Sequence, residues 1–316
     1  MNFRGLRTGT RILTERGEVD IETLRIGEAA MAMVAGRLVP VRWIGRRPVD
    51  GDAPDVANTT IRVAAEAFAA QTPVRDLWLA AGHLVMIDGA LIPIGALVNG
   101  ATIVEASPDR QPWWQIDLAR HDLVLAEGVP VESFRERRDE TCAPPVTSGP
   151  VLDGVKTRLL ARAKDAFGFS ITEDRGLLVV ADGEVCAATV TDEDAASFVI
   201  PPGSRDVYVM SRTWVPREAD PLSHDERRLG VCVRRLLLDD SRDVRLDGPE
   251  LDDGWQSPER DGVGPFRWTD GAGRLPAGAG TIAMELCGER LYWAHGRPPA
   301  YPGGIVRRAQ PASRPP

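Results

Sequence analysis

Gly5-Leu6-Arg7-Thr8-Gly9-Thr10-Arg11-Ile12-Leu13-Thr14-Glu15-Arg16-Gly17-Glu18-Val19 reads as strand, turn, strand. Thr10 to Thr14 forms a strand pattern and Arg16-Gly17-Glu18 a turn, because glycine tolerates the backbone angles a tight reversal needs. The run continues through Val19, Ile21 and Leu24 and breaks at Gly27. Short strand patterns then recur. Leu38 to Ile44 alternates, with Val39, Val41 and Trp43 on one face. Asp50 to Asn58 reads as a polar loop. Leu77 to Ala80 and Leu84 to Ile87 flank His83, Asp88-Gly89 signals a hairpin into Ala90 to Ile94, and Ile116 to Leu118 and Leu123 to Ala126 bracket His121. Almost none of this half carries a helical period.

A linker composition runs from Arg135 to Pro150, passing from charges into Pro144-Pro145 and Ser148-Gly149-Pro150. A helix is expected next, with Leu152, Val155, Leu159, Leu160, Ala163 and Phe167 on one face and Gly168 as its stop. Strands resume with the hairpin Leu177 to Ala181, Asp182-Gly183, Glu184 to Val190. More follow to Trp293, including Leu229 to Leu238, Val244 to Leu246 and Thr281 to Trp293. Short strands separated by regular turn signals predict a β-sandwich. The expected organisation is therefore residues 1–148, then a β-sandwich over residues 149–296 with one N-terminal helix, then a disordered tail over residues 297–316 rich in Pro, Gly and Arg.

Charge excludes several functions. The formal net charge of −8 divides into −4 up to Ser148 (16 basic against 20 acidic residues) and −4 beyond it (22 against 26). Neither half is a basic nucleic-acid binder. No apolar run is long enough to span a bilayer, so no membrane role is expected. The N-terminus lacks the apolar centre of a secretory signal, which makes the cytoplasm the default compartment and leaves non-classical secretion open. Cys142, Cys186, Cys232 and Cys287 lie 44, 46 and 55 residues apart, spacings that fit neither a metal site nor a redox motif. They are expected to be buried free thiols. His83, His121, His224 and His295 show no paired spacing and no glycine-rich loop cradles a phosphate, so no metal and no cofactor are expected.

The opening run resembles the start of a Hint (Hedgehog/intein) self-processing domain. Four further pieces follow in order. They are Val19-Asp20-Ile21-Glu22-Thr23-Leu24-Arg25-Ile26-Gly27, the segment Pro40-Val41-Arg42-Trp43-Ile44-Gly45-Arg46-Arg47 typical of bacterial members, Leu79-Ala80-Ala81-Gly82-His83-Leu84-Val85-Met86-Ile87-Asp88-Gly89, and Arg120-His121-Asp122-Leu123-Val124-Leu125-Ala126-Glu127-Gly128. The resemblance covers roughly the first 135 residues and implies a mainly β, Hint-like fold. It also implies an acyl shift, in which a nucleophile at the first residue attacks the preceding carbonyl while a Thr three residues before a His polarises that bond. Carried over by position, the nucleophile falls on Gly5 and the hydroxyl on Ala80, neither of which can perform its role. The two histidines fall on His83 and His121 and are retained. No terminal Asn is found; Thr141-Cys142 closes the module. Only Met1 to Arg4 precede Gly5, so cleavage there is expected to release four residues. Ser107, Ser133 and Cys142 are the alternative nucleophiles, but nothing in the sequence places any of them beside His83.

The second half resembles an accessory β-sandwich module. Trp214, Trp255 and Trp268 lie in turn-rich segments among Arg and acidic residues, including Arg212, Arg227 and Asp225. Aromatic faces beside bidentate hydrogen-bonding groups suit a sugar ligand. The same pattern also suits tryptophans that fill a core next to an ion-pair network. Asp239-Asp240 and Asp252-Asp253 raise the question of calcium, although acidic inter-strand loops are common. The sequence therefore predicts a Hint-like module that has lost autoprocessing and binds an unidentified protein or carbohydrate. The alternatives are an active self-processing domain and a carbohydrate binder acting through the second half.

Overall fold

The computed structural model describes residues 4–48, 59–106, 111–133, 142–296 and 301–302. It divides into two compact units: residues 1–168 with 220–222, and residues 169–219 with 223–316. The Asp50–Asn58 loop, Ser107, the charge run from Arg135 to Thr141, and all of the expected tail except Tyr301 and Pro302 lie outside the described residues.

The first unit is built from strands β1 (Leu6–Arg7), β2 (Arg11–Thr14), β3 (Gly17–Asp20), β4 (Ala29–Ala32), β5 (Arg37–Arg47), β6 (Thr60–Val63), β7 (Leu77–Ala80), β8 (Leu84–Ile87), β9 (Ala90–Pro93), β10 (Ile103–Ala106), β11 (Trp113–Leu118), β12 (Leu123–Ala126) and β13 (Val129–Glu132). Among the described residues they pair in the continuous order β10-β6-β7-β1-β11-β5-β4-β2-β12-β13-β8-β9, with β3 on β2. The two-residue β1 sits between β7 and β11, where Leu6 faces Leu79 on one side and Trp114 on the other. Alternation along each strand sets the core. Leu77 and Leu79 are fully buried, whereas Trp78 between them points outward, where the Arg7 guanidinium lies 4.5 Å from its ring centre.

Two turns require left-handed backbone. Asp88 and Gly89 (φ 51° and 78°) join β8 to β9, and Glu127 and Gly128 (φ 50° and 80°) join β12 to β13, the angles of a type I′ hairpin. Glutamate is an unusual occupant of that position, and its carboxylate is tied down: it accepts the Arg11 amide at 2.7 Å and the Arg75 guanidinium at 2.6 Å.

The expected helix is α1 (Pro150–Phe167), with proline in its first turn and Gly168 (φ 70°) closing it by donating to the Ala163 and Lys164 carbonyls. Its membership differs from the expected boundary at 148. Leu152, Val155 and Leu159 pack into the same core as Leu6, Ile12, Ile61 and Val131. Arg158 binds Asp88 at 2.8 Å and the Phe68 carbonyl at 3.0 Å, and Arg162 binds the Glu66 carbonyl at 2.7 Å. The division falls at Gly168 because the helix's apolar stripe is buried by the first unit.

The second unit contains β14 (Ile171–Thr172), β15 (Leu178–Ala181), β16 (Glu184–Val185), β17 (Ala187–Thr191), β18 (Ala195–Val199), β19 (Val207–Met210), the short α2 (Pro216–Ala219), β20 (Cys232–Leu238), β21 (Arg242–Asp243), β22 (Glu259–Arg260), β23 (Pro265–Trp268), β24 (Ala272–Leu275), β25 (Thr281–Cys287) and β26 (Tyr292–Trp293). Among the described residues, one sheet runs β17-β18-β25-β20-β23-β22 with β21 on β20, a second runs β16-β15-β19-β24, and β14 pairs β26. The two larger sheets share a core, to which Val179, Val207 and Val209 contribute from one and Phe198, Leu236 and Met284 from the other. The Asp182-Gly183 hairpin forms as expected (φ 48° and 84°). Val244 and Leu246 are buried without joining a strand. Tyr301, expected in a disordered tail, is buried edge-on against Tyr208 at 5.5 Å between ring centres. No helix among the described residues is long and apolar enough to cross a membrane.

Candidate functional site

The pairing of β1 with β7 brings Gly5 and Ala80 together. The Ala80 amide donates to the Gly5 carbonyl at 3.1 Å, and the chain turns immediately so that the His83 amide donates to the Ala80 carbonyl at 2.8 Å. Gly5 is buried, and it is not one of the glycines with positive φ. One bond upstream, the Arg4 carbonyl accepts the Gln115 side-chain amide at 2.6 Å. That carbonyl is the one a nucleophile at position 5 would attack, so a donor already sits where negative charge would develop.

The His83 side chain is buried, and neither ring nitrogen has a hydrogen-bond partner among the described residues. Burial lowers its pKa to about 4; a weaker attraction from Glu132 opposes this and Arg4 assists it. The ring is therefore neutral at ordinary pH. Ala80 presents only a methyl, which leaves the imidazole no hydroxyl to bond at that position.

His121 lies in a different network. Its Nδ1 accepts the Cys142 amide at 3.0 Å, which places the ring proton of the neutral form on Nε2, 3.5 Å from Glu132 Oε2. The Glu132 carboxylate has no exposed surface and also accepts Arg4 Nη1 at 2.6 Å and the Leu84 amide at 2.9 Å. Glu132 thus ties together the residue before Gly5, the start of β8 and the late histidine. Sequence reasoning passed over Glu132, Gln115 and Arg4. The available signal was a carboxylate ending the apolar run Val129 to Val131, where only a paired charge is tolerated.

Of the alternative nucleophiles, Ser133 and Cys142 complete no site among the described residues, and Ser107 lies outside them. Ser133 Oγ accepts the Asp122 amide at 2.9 Å and belongs to the clamp in which Asp122 also holds the Val34 and Ala35 amides. Cys142 reaches His121 through its backbone, and burial raises its thiol pKa. Among the described residues no group of three or more His, Cys, Asp or Glu is placed to hold a metal ion.

Residues 5–138 match the family model of the Hint domain. This segment is a Hint domain. The gp41-1 intein is similar to it at 12% identity, covering 41% of this chain and 98% of that one with a TM-score of 0.31. A bacterial intein-like domain from Clostridium thermocellum is similar at 14% identity, covering 42% of this chain and 100% of that one with a TM-score of 0.31. A DnaB intein from Synechocystis sp. PCC 6803 is similar at 10% identity, covering 42% and 100% with a TM-score of 0.29. No curated protein matches the chain. The matched range includes Gly5, Ala80, His83 and His121, and the second unit lies beyond it.

In the second unit Trp214, Trp255 and Trp268 are buried, in keeping with the core alternative that the sequence left open beside a sugar ligand. Trp255 is part of the shared core and donates its indole N–H to the Arg274 carbonyl at 2.7 Å. Trp214 and Trp268 pack with Leu229, Cys232 and Tyr292. Arg227 is held by Asp225 at 2.7 Å and Glu259 at 2.8 Å, and Arg212 binds Asp174 and the carbonyls of Ala294 and Gly296. Trp214, Trp268 and Arg227 line one cavity of about 320 Å³, which Trp255 and Arg212 do not reach. Asp239 and Asp240 form a turn (φ 50° and 56°), and Asp239 Oδ1 accepts the Gly280 and Thr281 amides.

Proposed function

We propose that this Hint domain has lost the acyl shift and serves as a non-catalytic scaffold or binding module. One observation carries the reading. Positions 5 and 80 are joined backbone to backbone at 3.1 Å with neither thiol nor hydroxyl between them, beside a buried histidine whose ring has no partner among the described residues. The acyl shift needs a nucleophile to add to the Arg4 carbonyl and an acid to protonate the departing nitrogen, and the cluster supplies neither. The groups that remain hold the Arg4–Gly5 peptide in place through Gln115 and Glu132. Self-processing through another nucleophile draws no support from Cys142, whose raised thiol pKa disfavours the thiolate. Sugar binding draws none from Trp255, whose ring is packed in the core, and little from Trp214 and Trp268, which are buried except where they line the cavity. The partner, protein or carbohydrate, therefore belongs to a surface outside this cluster.

Intact-mass measurement after prolonged incubation with dithiothreitol or hydroxylamine tests the reading. An unchanged mass is expected, and stoichiometric loss of the residues before Gly5 would overturn it.

A further inference from the structure

Cys232 opens β20 and Cys287 closes β25, directly opposite one another in antiparallel register, with their sulfurs 2.9 Å apart. A disulfide bond needs about 2.05 Å, so joining them requires the sulfurs to move by about 1 Å. Gly288 keeps this end of the sheet tight. It has φ of 76°, and a Cβ there would fall 2.6 Å from the Trp268 ring and 3.0 Å from Cys232 Cβ. Both sulfur-bearing residues line the cavity of about 320 Å³, on a floor with Trp214, Phe266 and Trp268. Cys232 is buried and Cys287 half-buried.

We propose that Cys287 and Cys232 form a thiol–disulfide exchange site, with Cys287 attacking and Cys232 resolving, for small cationic aliphatic disulfides entering this cavity. The asymmetry between the two sulfurs sets their roles. The Cys232 S–H bond holds the Cys287 thiol below the ordinary value, with Arg234 and Arg175 assisting against the opposing effects of burial and Asp261, whereas Cys232 itself is pushed up. Cys142 and Cys186 have no such partner, and burial raises both. The cavity's charge selects the reagent. Asp225, Glu259, Asp261 and Glu289 line it together with Arg227 and Arg234, an excess of two negative charges.

The Cys287 thiolate, its proton already given to solvent, attacks one sulfur of the reagent and breaks the S–S bond. The first small thiolate leaves and takes a proton from water. Cys232 then loses its proton to solvent and attacks Cys287 Sγ, which expels the second small thiolate, and this is protonated in turn. The protein loses two electrons and two hydrogens in forming one disulfide, and the reagent is reduced to two thiols.

The test uses the reduced full-length chain with cystamine or with dithiodiglycolate, a disulfide of similar length and opposite charge, read by intact mass and peptide mapping. Cystamine is expected to remove two hydrogens and link Cys232 to Cys287, about tenfold faster than dithiodiglycolate. Cys232→Ser is expected to stop at the mixed disulfide on Cys287, and Cys287→Ser to form no adduct at either position. Limited iodoacetamide labelling of the unmodified protein, which needs no variant to fold, is expected to reach Cys287 before Cys142. Adducts at Cys142 or Cys186 with Cys232 and Cys287 untouched would overturn the site, as would labelling of Cys142 first. Equal rates for the two reagents would overturn its charge selectivity.

Discussion

The Ala80 amide donates to the Gly5 carbonyl across the β1–β7 pairing at 3.1 Å, so two positions 75 residues apart in the chain are neighbours in the sheet. A side chain restored at either position would therefore enter the same small volume. That volume lies next to the Arg4 carbonyl, which is already bonded to Gln115.

Gly5→Cys combined with Ala80→Thr is expected to produce a hydroxylamine-sensitive thioester that the parent chain lacks, measured by intact mass. Adding Gln115→Ala is expected to slow its formation by about 10²-fold, the order seen when one donor to a developing oxyanion is removed. Equal rates with and without Gln115 would show that its bond to the Arg4 carbonyl has no part in the reaction.

His83 should make the protein acid-sensitive. Its pKa is about 4 in the fold against 6.5 in a free chain, so between those values the unfolded chain binds more protons. The stability associated with the neutral ring is fully present above pH 6.5 and is lost as pH falls towards 4, by at most about 3 kcal/mol. His83→Leu removes the titrating group, so urea midpoints measured from pH 4 to 7 should flatten relative to the parent. Parallel profiles would mean that burial does not hold this ring neutral.

Glu132→Ala leaves Arg4, the Leu84 amide and His121 without their common acceptor. A loss of about 3 kcal/mol in urea unfolding is expected, since breaking a buried pair leaves the remaining groups uncompensated. Glu132→Gln retains an acceptor for Leu84 and should cost about 1 kcal/mol.

Trp255→Ala should act through packing. The indole lies in the core shared by the two larger sheets and its N–H bonds the Arg274 carbonyl. A loss of about 3–5 kcal/mol is expected for a truncation of this size, visible as a lower denaturation midpoint of the second unit. An unchanged midpoint would mean that the ring is not packed as described.

Features set by adjacent residues were legible in the sequence. Asp88-Gly89 and Asp182-Gly183 announce hairpins because few other pairs tolerate two positive φ angles. The apolar spacing from Leu152 to Ala163 announces α1 because a helix repeats every 3.6 residues. Gly5 and Ala80 were legible as missing functional groups, since a side chain that is absent cannot be supplied by folding.

The sequence by itself determined the strand-rich Hint pattern, the places where the chain reverses, and that Gly5 and Ala80 carry no nucleophile or hydroxyl. Tertiary structure alone decided which unit buries the α1 stripe, that Glu132 rather than a histidine joins the elements of the site, that Trp214, Trp255 and Trp268 are buried, and that Cys232 meets Cys287. Local conformational preference acts over a few residues and can be read along the chain. Burial and hydrogen-bond partnership depend on segments brought together from as far as 128 residues apart, and only the assembled sheets fix which groups meet.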